Sequence, residues 1–262
     1  SRTHDNVCGS APIRLLMAAL AAGSEEVYLS PLDYMASGEL TRDYRLSVGY
    51  GALAFYPASA FAVSPEDQSS LLASARRSLE DFMAGHKERE PVAPAARDRD
   101  LEQRAPLFVT LRKNGELRGC IGTFAPRLPL WEAVKEQTLA AAAQDPRFPA
   151  VSAADGPLGL EISLLTPLKR LSGWRDYRLH HGAVIELDGK SGTLLPQVAD
   201  EMHWTREQML ENLALKAGLP AGAYRDPRAA LYVYSAQIFS ERAPVSARGL
   251  RPGGESRHPG PK

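Results

Sequence analysis

Between residues 67 and 86 the apolar side chains fall at 71, 72, 75, 79, 82 and 83, the three-and-four spacing of a helix with one buried stripe. Further along the pattern changes. Residues 107–111 (Leu-Phe-Val-Thr-Leu) form a strand-type run, and Asn114-Gly115 is the pair that favours a type I′ turn. Residues 117–124 then return as a second strand. Residues 131–143 predict a helix ended by Asp145-Pro146, 158–165 a strand closed by Pro167, and 183–195 a second hairpin around Asp188-Gly189-Lys190. Thr205 stands where a helix running to Lys216 needs its N-cap, with Gly218 at the C-terminal stop. Residues 231–240 predict one final strand. Strands joined by hairpins, with helices between, predict an α+β domain with a mainly antiparallel sheet flanked by helices.

The first 57 residues read differently, as helix, strand, strand. Pro12 suits a first helical turn, 13–22 is helix-forming, and Gly23 stops it. Residues 26–30 alternate like a strand, and 47–56, apolar with two glycines, predict a buried strand. These elements are too few to close a core and read as the last part of something larger, as does a start at Ser1. The Pro-flanked stretch after Pro57 marks a boundary. The expected organisation is an N-terminal remnant at 1–57, a linker at 58–64, the main domain at 65–243 and a Pro- and Gly-rich disordered tail at 244–262. Residues 87–105, charged and Pro-containing, predict a long surface loop.

With 31 basic and 31 acidic side chains the formal net charge is zero. That balance argues against the broad cationic surface that nucleic acid rewards and leaves only a local basic cleft open. The two cysteines, Cys8 and Cys120, belong to no CxxC pair, so no zinc site, metal site or disulfide framework is expected, and a reducing cytoplasm suits them. The apolar run at 15–22 is too short to span a bilayer, and no basic segment precedes it as in a signal peptide. Gly119-Cys120-Ile121-Gly122 has neither the lysine nor the strand-to-helix setting of a phosphate loop, and no bound cofactor is expected.

Leu117-Arg118-Gly119-Cys120-Ile121-Gly122-Thr123 is the richest segment chemically. On a regular strand Arg118 and Cys120 share a face, and a guanidinium near a thiol favours the nucleophilic thiolate. Gly119 and Gly122 clear space on both sides for a bulge, a ligand or another backbone. The plainer reading makes Cys120 a small buried hydrophobe and the glycines relief from crowding. Asp145-Pro146-Arg147-Phe148 ends a helix, and Arg147 is either a surface cover or an anion-binding group. Gln197 is an uncharged polar group in an apolar motif, placed to bond a substrate or its own loop. Glu161 is an acid–base group or, as the alternation favours, a member of a solvated face. His180 and His181 point to opposite faces of a strand, and His203 reads as packed or exposed.

Several of these stretches together resemble an AMMECR-type domain: 108–111 with Asn114-Gly115 and 117–122, then 145–149, Glu161-Ile162-Ser163-Leu164-Leu165-Thr166-Pro167, 192–199, 215–219 and Phe239-Ser240-Glu241. They occur in the family's order. The segment 5–13, with Ser47-Val48-Gly49-Tyr50, is similar to the C-terminal end of a Memo-type domain, whose metal-site cysteine matches Cys8. No histidine ligands from earlier in such a domain are present, and His4 with Cys8 does not complete a tetrahedral site. The resemblance implies a modification system shared with a Memo-type protein and a radical-SAM enzyme. In it Cys120 would hold or transfer a group and Arg118 would stabilise its thiolate, with Gly119, Gly122, Arg147 and Gln197 lining the site. The other reading is a non-catalytic module that binds a partner protein, RNA or nucleotide in the same cleft.

Overall fold

The computed structural model describes residues 10–45, 47–86 and 99–241. The expectations for His4, Cys8, the first part of the predicted loop (87–98) and the tail at 244–262 lie outside those residues.

The N-terminal elements follow the expected order. Helix α1 (Ser10–Ala22) leads to strand β1 (Val27–Ala36), a short helix α2 (Ser37–Thr41) and strand β2 (Gly49–Pro57). β1 and β2 pair antiparallel from Val27↔Pro57 to Ala36↔Gly49, with an irregularity between Pro31 and Asp33. The prediction of a buried strand at 47–56 is corrected here: β2 is mostly exposed. An apolar run is buried only if a second layer covers it, and this two-stranded ribbon is not extended by any other described strand.

The stretch after Pro57 packs rather than hangs free. Phe61 meets the Tyr28 and Tyr56 rings edge-on, with centroids 5.7 and 6.0 Å away. The Val63 N–H donates to Gln237 Oε1 at 2.9 Å. Helix α3 (Pro65–Met83) starts at Ser64, whose hydroxyl accepts the Asp67 N–H. It buries Leu71, Ala75 and Leu79, the centre of the expected stripe. The surface loop expected over 87–105 is corrected at its end, where Arg99–Glu102 form a helical turn α4, and Leu101 and Ala105 are buried.

Strands β3 (Leu107–Lys113) and β4 (Glu116–Thr123), helix α5 (Leu130–Ala143) and strand β5 (Gly159–Leu165) follow. Next come β6 (Lys169–Arg170), β7 (Gly182–Leu187), β8 (Lys190–Leu194), helices α6 (Gln197–Glu201) and α7 (Arg206–Lys216), and strands β9 (Ala230–Tyr234) and β10 (Ala236–Ser240). They build two four-stranded antiparallel sheets, ordered β10-β5-β3-β4 and β6-β9-β7-β8. One core lies between the first sheet and α3 and α5, around Leu79, Val109, Val134 and Ile162. The other lies between the second sheet and α7, around Ile185, Met209 and Leu213. Leu165, Val184 and Tyr234 join the sheets, with Phe108 and Phe124 beside them.

Both hairpin turns have positive φ at their two central residues, 54° and 89° at Asn114-Gly115 and 50° and 76° at Asp188-Gly189, as a type I′ turn requires. Thr205 caps α7 through a reciprocal bond with Gln208, and Gly218 ends it at φ 70°. The single strand expected at 231–240 is in fact two, one in each sheet. The break is Ser235, whose N–H donates to Thr166 Oγ1 and whose carbonyl accepts the Thr166 N–H. That knot takes the groups a continuous ladder would need.

Candidate functional site

β4 is an edge strand of the first sheet, so alternate main-chain groups along it have no strand partner. At Cys120 those groups are taken by side chains from the segment after α5. The Cys120 N–H donates to Asp145 Oδ2 at 2.8 Å, and Arg147 Nη2 donates to the Cys120 carbonyl at 3.4 Å. Arg147 also holds both Asp145 oxygens, at 2.9 and 2.7 Å. Asp145 is 4% exposed. Hydrogen bonds from the Arg147 guanidinium, helped by the Cys120 N–H and opposed by burial, hold its carboxyl at a pKa of about 2. Asp145 therefore does more than end a helix. One ion pair clamps the thiol-bearing residue at both backbone groups.

The half-buried Cys120 side chain stands opposite Thr110 in the β3–β4 ladder, and the Thr110 hydroxyl donates to Sγ at 3.4 Å. Lys216, at the end of α7, interacts electrostatically with Cys120 and Arg147; burial lowers its pKa, the thiol opposes that and Arg147 reinforces it. Arg118 is engaged by other partners. Its guanidinium binds Asp155 at 3.0 and 3.1 Å and the Pro149 carbonyl at 2.8 Å. The reason is a β-bulge: Leu111 faces Gly119 but Arg112 faces Leu117, so Arg118 is the extra residue and the i, i+2 relation to Cys120 fails. The cation at the cysteine is supplied by Arg147 and Lys216 instead.

The glycines have a packing role. A Cβ on Gly119 would stand 2.2 Å from the Ala141 carbonyl oxygen of α5, and one on Gly122 would stand 2.3 Å from the Leu107 oxygen. The close neighbour at Gly119 is backbone, and at Gly122 it is backbone together with the Phe108 ring.

Glu161 is the residue that sequence reasoning undervalued. It pairs with Thr110 across β3–β5, so Cys120, Thr110 and Glu161 form one row on one sheet face. The second sheet covers much of that face, so the polar half of the 161–163 alternation is not solvated. Ser163 is fully buried, and Glu161 Oε1, Ser163 Oγ and Gln197 Oε1 are buried without hydrogen-bond partners. Burial raises the Glu161 pKa, partly offset by Arg112 and Gln197 and reinforced by Glu201. Gln197, singled out from sequence, lies beside Glu161. The signal in the sequence was two polar residues at 161 and 163 within an otherwise apolar strand.

The histidines lie elsewhere. His181 meets Glu26 at 3.0 Å, while His180 and His203 are exposed. Among the described residues no group of three or more His, Cys, Asp or Glu is arranged to hold a metal, and no helix is long and apolar enough to cross a membrane.

Comparison with known proteins places this architecture. The AMMECR1 family profile matches residues 72–239. A protein of Methanothermobacter thermautotrophicus is 38% identical over 187 residues, covering 68% of this chain and 96% of its own. One from Methanopyrus kandleri is 36% identical over 190 residues, covering 68% and 90%. The crystal structure of an uncharacterized protein from Pyrococcus horikoshii superposes with a TM-score of 0.63 at 34% identity, covering 68% of this chain and 93% of that one. The ordered motifs, the two-sheet fold and these relatives agree: the chain belongs to the AMMECR1 family.

Proposed function

We propose that Cys120 is the working thiol of this domain and holds or transfers a group, as one part of a modification system that also uses a Memo-type protein and a radical-SAM enzyme. The observation that carries this reading is the contrast within one residue. The Cys120 backbone is bound at both polar groups by Asp145 and Arg147, while Sγ has only weaker contacts, with the Thr110 hydroxyl at 3.4 Å and with the Arg147 guanidinium. A fixed backbone with a lightly engaged reactive atom is the arrangement preorganised chemistry needs. For an acyl group the step balances simply. Sγ forms a bond to the activated acyl carbon, the bond to the leaving group breaks, and the leaving group departs with the thiol's proton; a second nucleophile then takes the acyl unit and restores the thiol. Arg147 and Lys216 are the cations beside the thiol. A free thiol in this role fits the cytoplasm. The exposed apolar side chains of residues 10–57 support reading that region as the end of a Memo-type domain.

The second reading, a non-catalytic site for a partner protein, RNA or nucleotide, draws support from the cations Arg147 and Lys216 beside the cysteine. Cys120→Ser separates the two. A working thiol requires that the variant lose turnover with the radical-SAM enzyme and lose iodoacetamide labelling at position 120, with its melting curve intact. Retained turnover rejects the covalent reading. A binding module instead predicts a mild Cys120→Ser and an affinity loss in Arg147→Ala. If Cys120 is only core, the serine hydroxyl lowers stability by about 1–3 kcal/mol.

A further inference from the structure

A groove of about 800 Å³ opens where β5 begins and β10 ends, bordered by Arg112, Asn114, Glu161, Ser240 and the pair Arg76–Glu241. Its volume is in the range of small-molecule sites. The charges around it are not equally engaged. Arg76 and Glu241 satisfy each other through two hydrogen bonds, and Arg76 also donates to the Leu158 carbonyl at 2.7 Å. Arg112 and Glu161 are left short. A guanidinium has five N–H donors, yet Arg112 makes one long bond to the Gly115 carbonyl at 3.4 Å and approaches Glu201 only to 3.8 Å. Glu161 keeps one buried oxygen without a partner.

Strand register places these two groups as diagonal neighbours on one face, since Arg112 stands opposite Gly159 and Thr110 opposite Glu161. They nevertheless form no ion pair with each other. An underused cation and an underused carboxylate, side by side in one groove, match a ligand that carries both charges. An anion alone would meet Arg112 but face Glu161 and Glu80, which also borders the groove, and a cation alone would face Arg112. We propose that this groove binds a zwitterion of short-peptide size, its ammonium on Glu161 and its carboxylate on Arg112. This goes beyond the Cys120 reading and does not depend on it.

The test is calorimetric titration of the full chain at about pH 7, where a peptide amine is mostly protonated, with glycylglycine, its N-acetylated form, its C-terminal amide and inorganic phosphate. Glycylglycine should saturate the protein, and each blocked form should bind at least about tenfold more weakly, the cost of leaving one partly buried charge unmet. In Glu161→Gln the penalty for N-acetylation should disappear. In Arg112→Gln the penalty for amidation should disappear instead. Cys120→Ser should bind glycylglycine as the natural sequence does, so failure here and failure of the thiol reading are separable. Equal binding of all three peptide forms, phosphate binding without peptide binding, or no saturation by about 10 mM peptide would each overturn the proposal. The comparison among ligands on the unaltered chain stands even if a variant fails to fold.

Discussion

Helix α1 and helix α3 make a useful pair. α1 is the more apolar in sequence, yet none of its residues is buried, and Leu15 is 72% exposed. α3 carries six charged residues in 19 and buries Leu71, Ala75 and Leu79 under the first sheet. The same contrast separates the whole region 10–57 from the two-sheet domain. In the ribbon Tyr34 and Leu53 stay exposed, whereas Leu107, Val109 and Leu111 of β3 are fully buried. Apolar composition creates an element, but burial requires a second layer in reach. Two strands and a helix do not supply one. What ties the ribbon down is a small anchor: Tyr28, buried against Phe61, with Glu26 bound by Lys169 at 2.9 Å and His181 at 3.0 Å.

The largest test of this contrast uses two glycines. Gly119→Val places side-chain atoms into the Ala141 carbonyl and should cost more than about 3 kcal/mol or abolish cooperative unfolding in urea. Gly51→Ala on the ribbon meets nothing within 4 Å and should change stability by less than about 0.5 kcal/mol. Comparable losses in the two proteins would mean that the ribbon is packed as tightly as the domain.

Next in size is the Asp145 clamp. Asp145→Ala strands the Cys120 N–H and the Arg147 charge and should cost about 3 kcal/mol. The carboxyl's folded pKa of about 2 lies below the ordinary value near 3.9. Its contribution is therefore complete above about pH 5 and lost as pH falls toward 2, a share of about 2 kcal/mol. Acid titration of the melting temperature should be visibly flatter in Asp145→Asn. The exposed Asp43–Arg45 pair on the ribbon provides the contrast: Asp43→Asn should leave the acid profile unchanged. An unflattened profile in Asp145→Asn would remove the clamp from the stability of the site.

The smallest effect separates the anchor from the rest of the ribbon. Tyr28→Ala should lower stability by about 2 kcal/mol, since it removes a buried ring at the junction. Tyr34→Ala, 69% exposed, should shift the melting temperature by no more than about 2 °C. If the order reverses, the ribbon has a cover that the chain itself does not provide.

Much of this protein follows from local sequence. The two type I′ turns come from Asn114-Gly115 and Asp188-Gly189, because few residues tolerate positive φ twice in succession. The start of α7 at Thr205 and the buried stripe of α3 are set by hydrogen-bond chemistry and spacing within a few residues. The placement of Cys120 on a returning strand was likewise legible in its hairpin pattern. Tertiary structure decided the rest. Periodicity tells which side chains share a face, not what covers it, so β2 reads as buried and is exposed while Glu161 reads as solvated and is half-buried. A one-residue bulge reassigned Arg118 to Asp155, and a Thr166–Ser235 knot split the last strand between sheets. Asp145 became a clamp only because β4 is an edge strand, which depends on how distant segments pair. Local rules act over a turn or a hairpin; register, bulges and layers are settled by contacts tens of residues apart, and those contacts hold the cysteine in place.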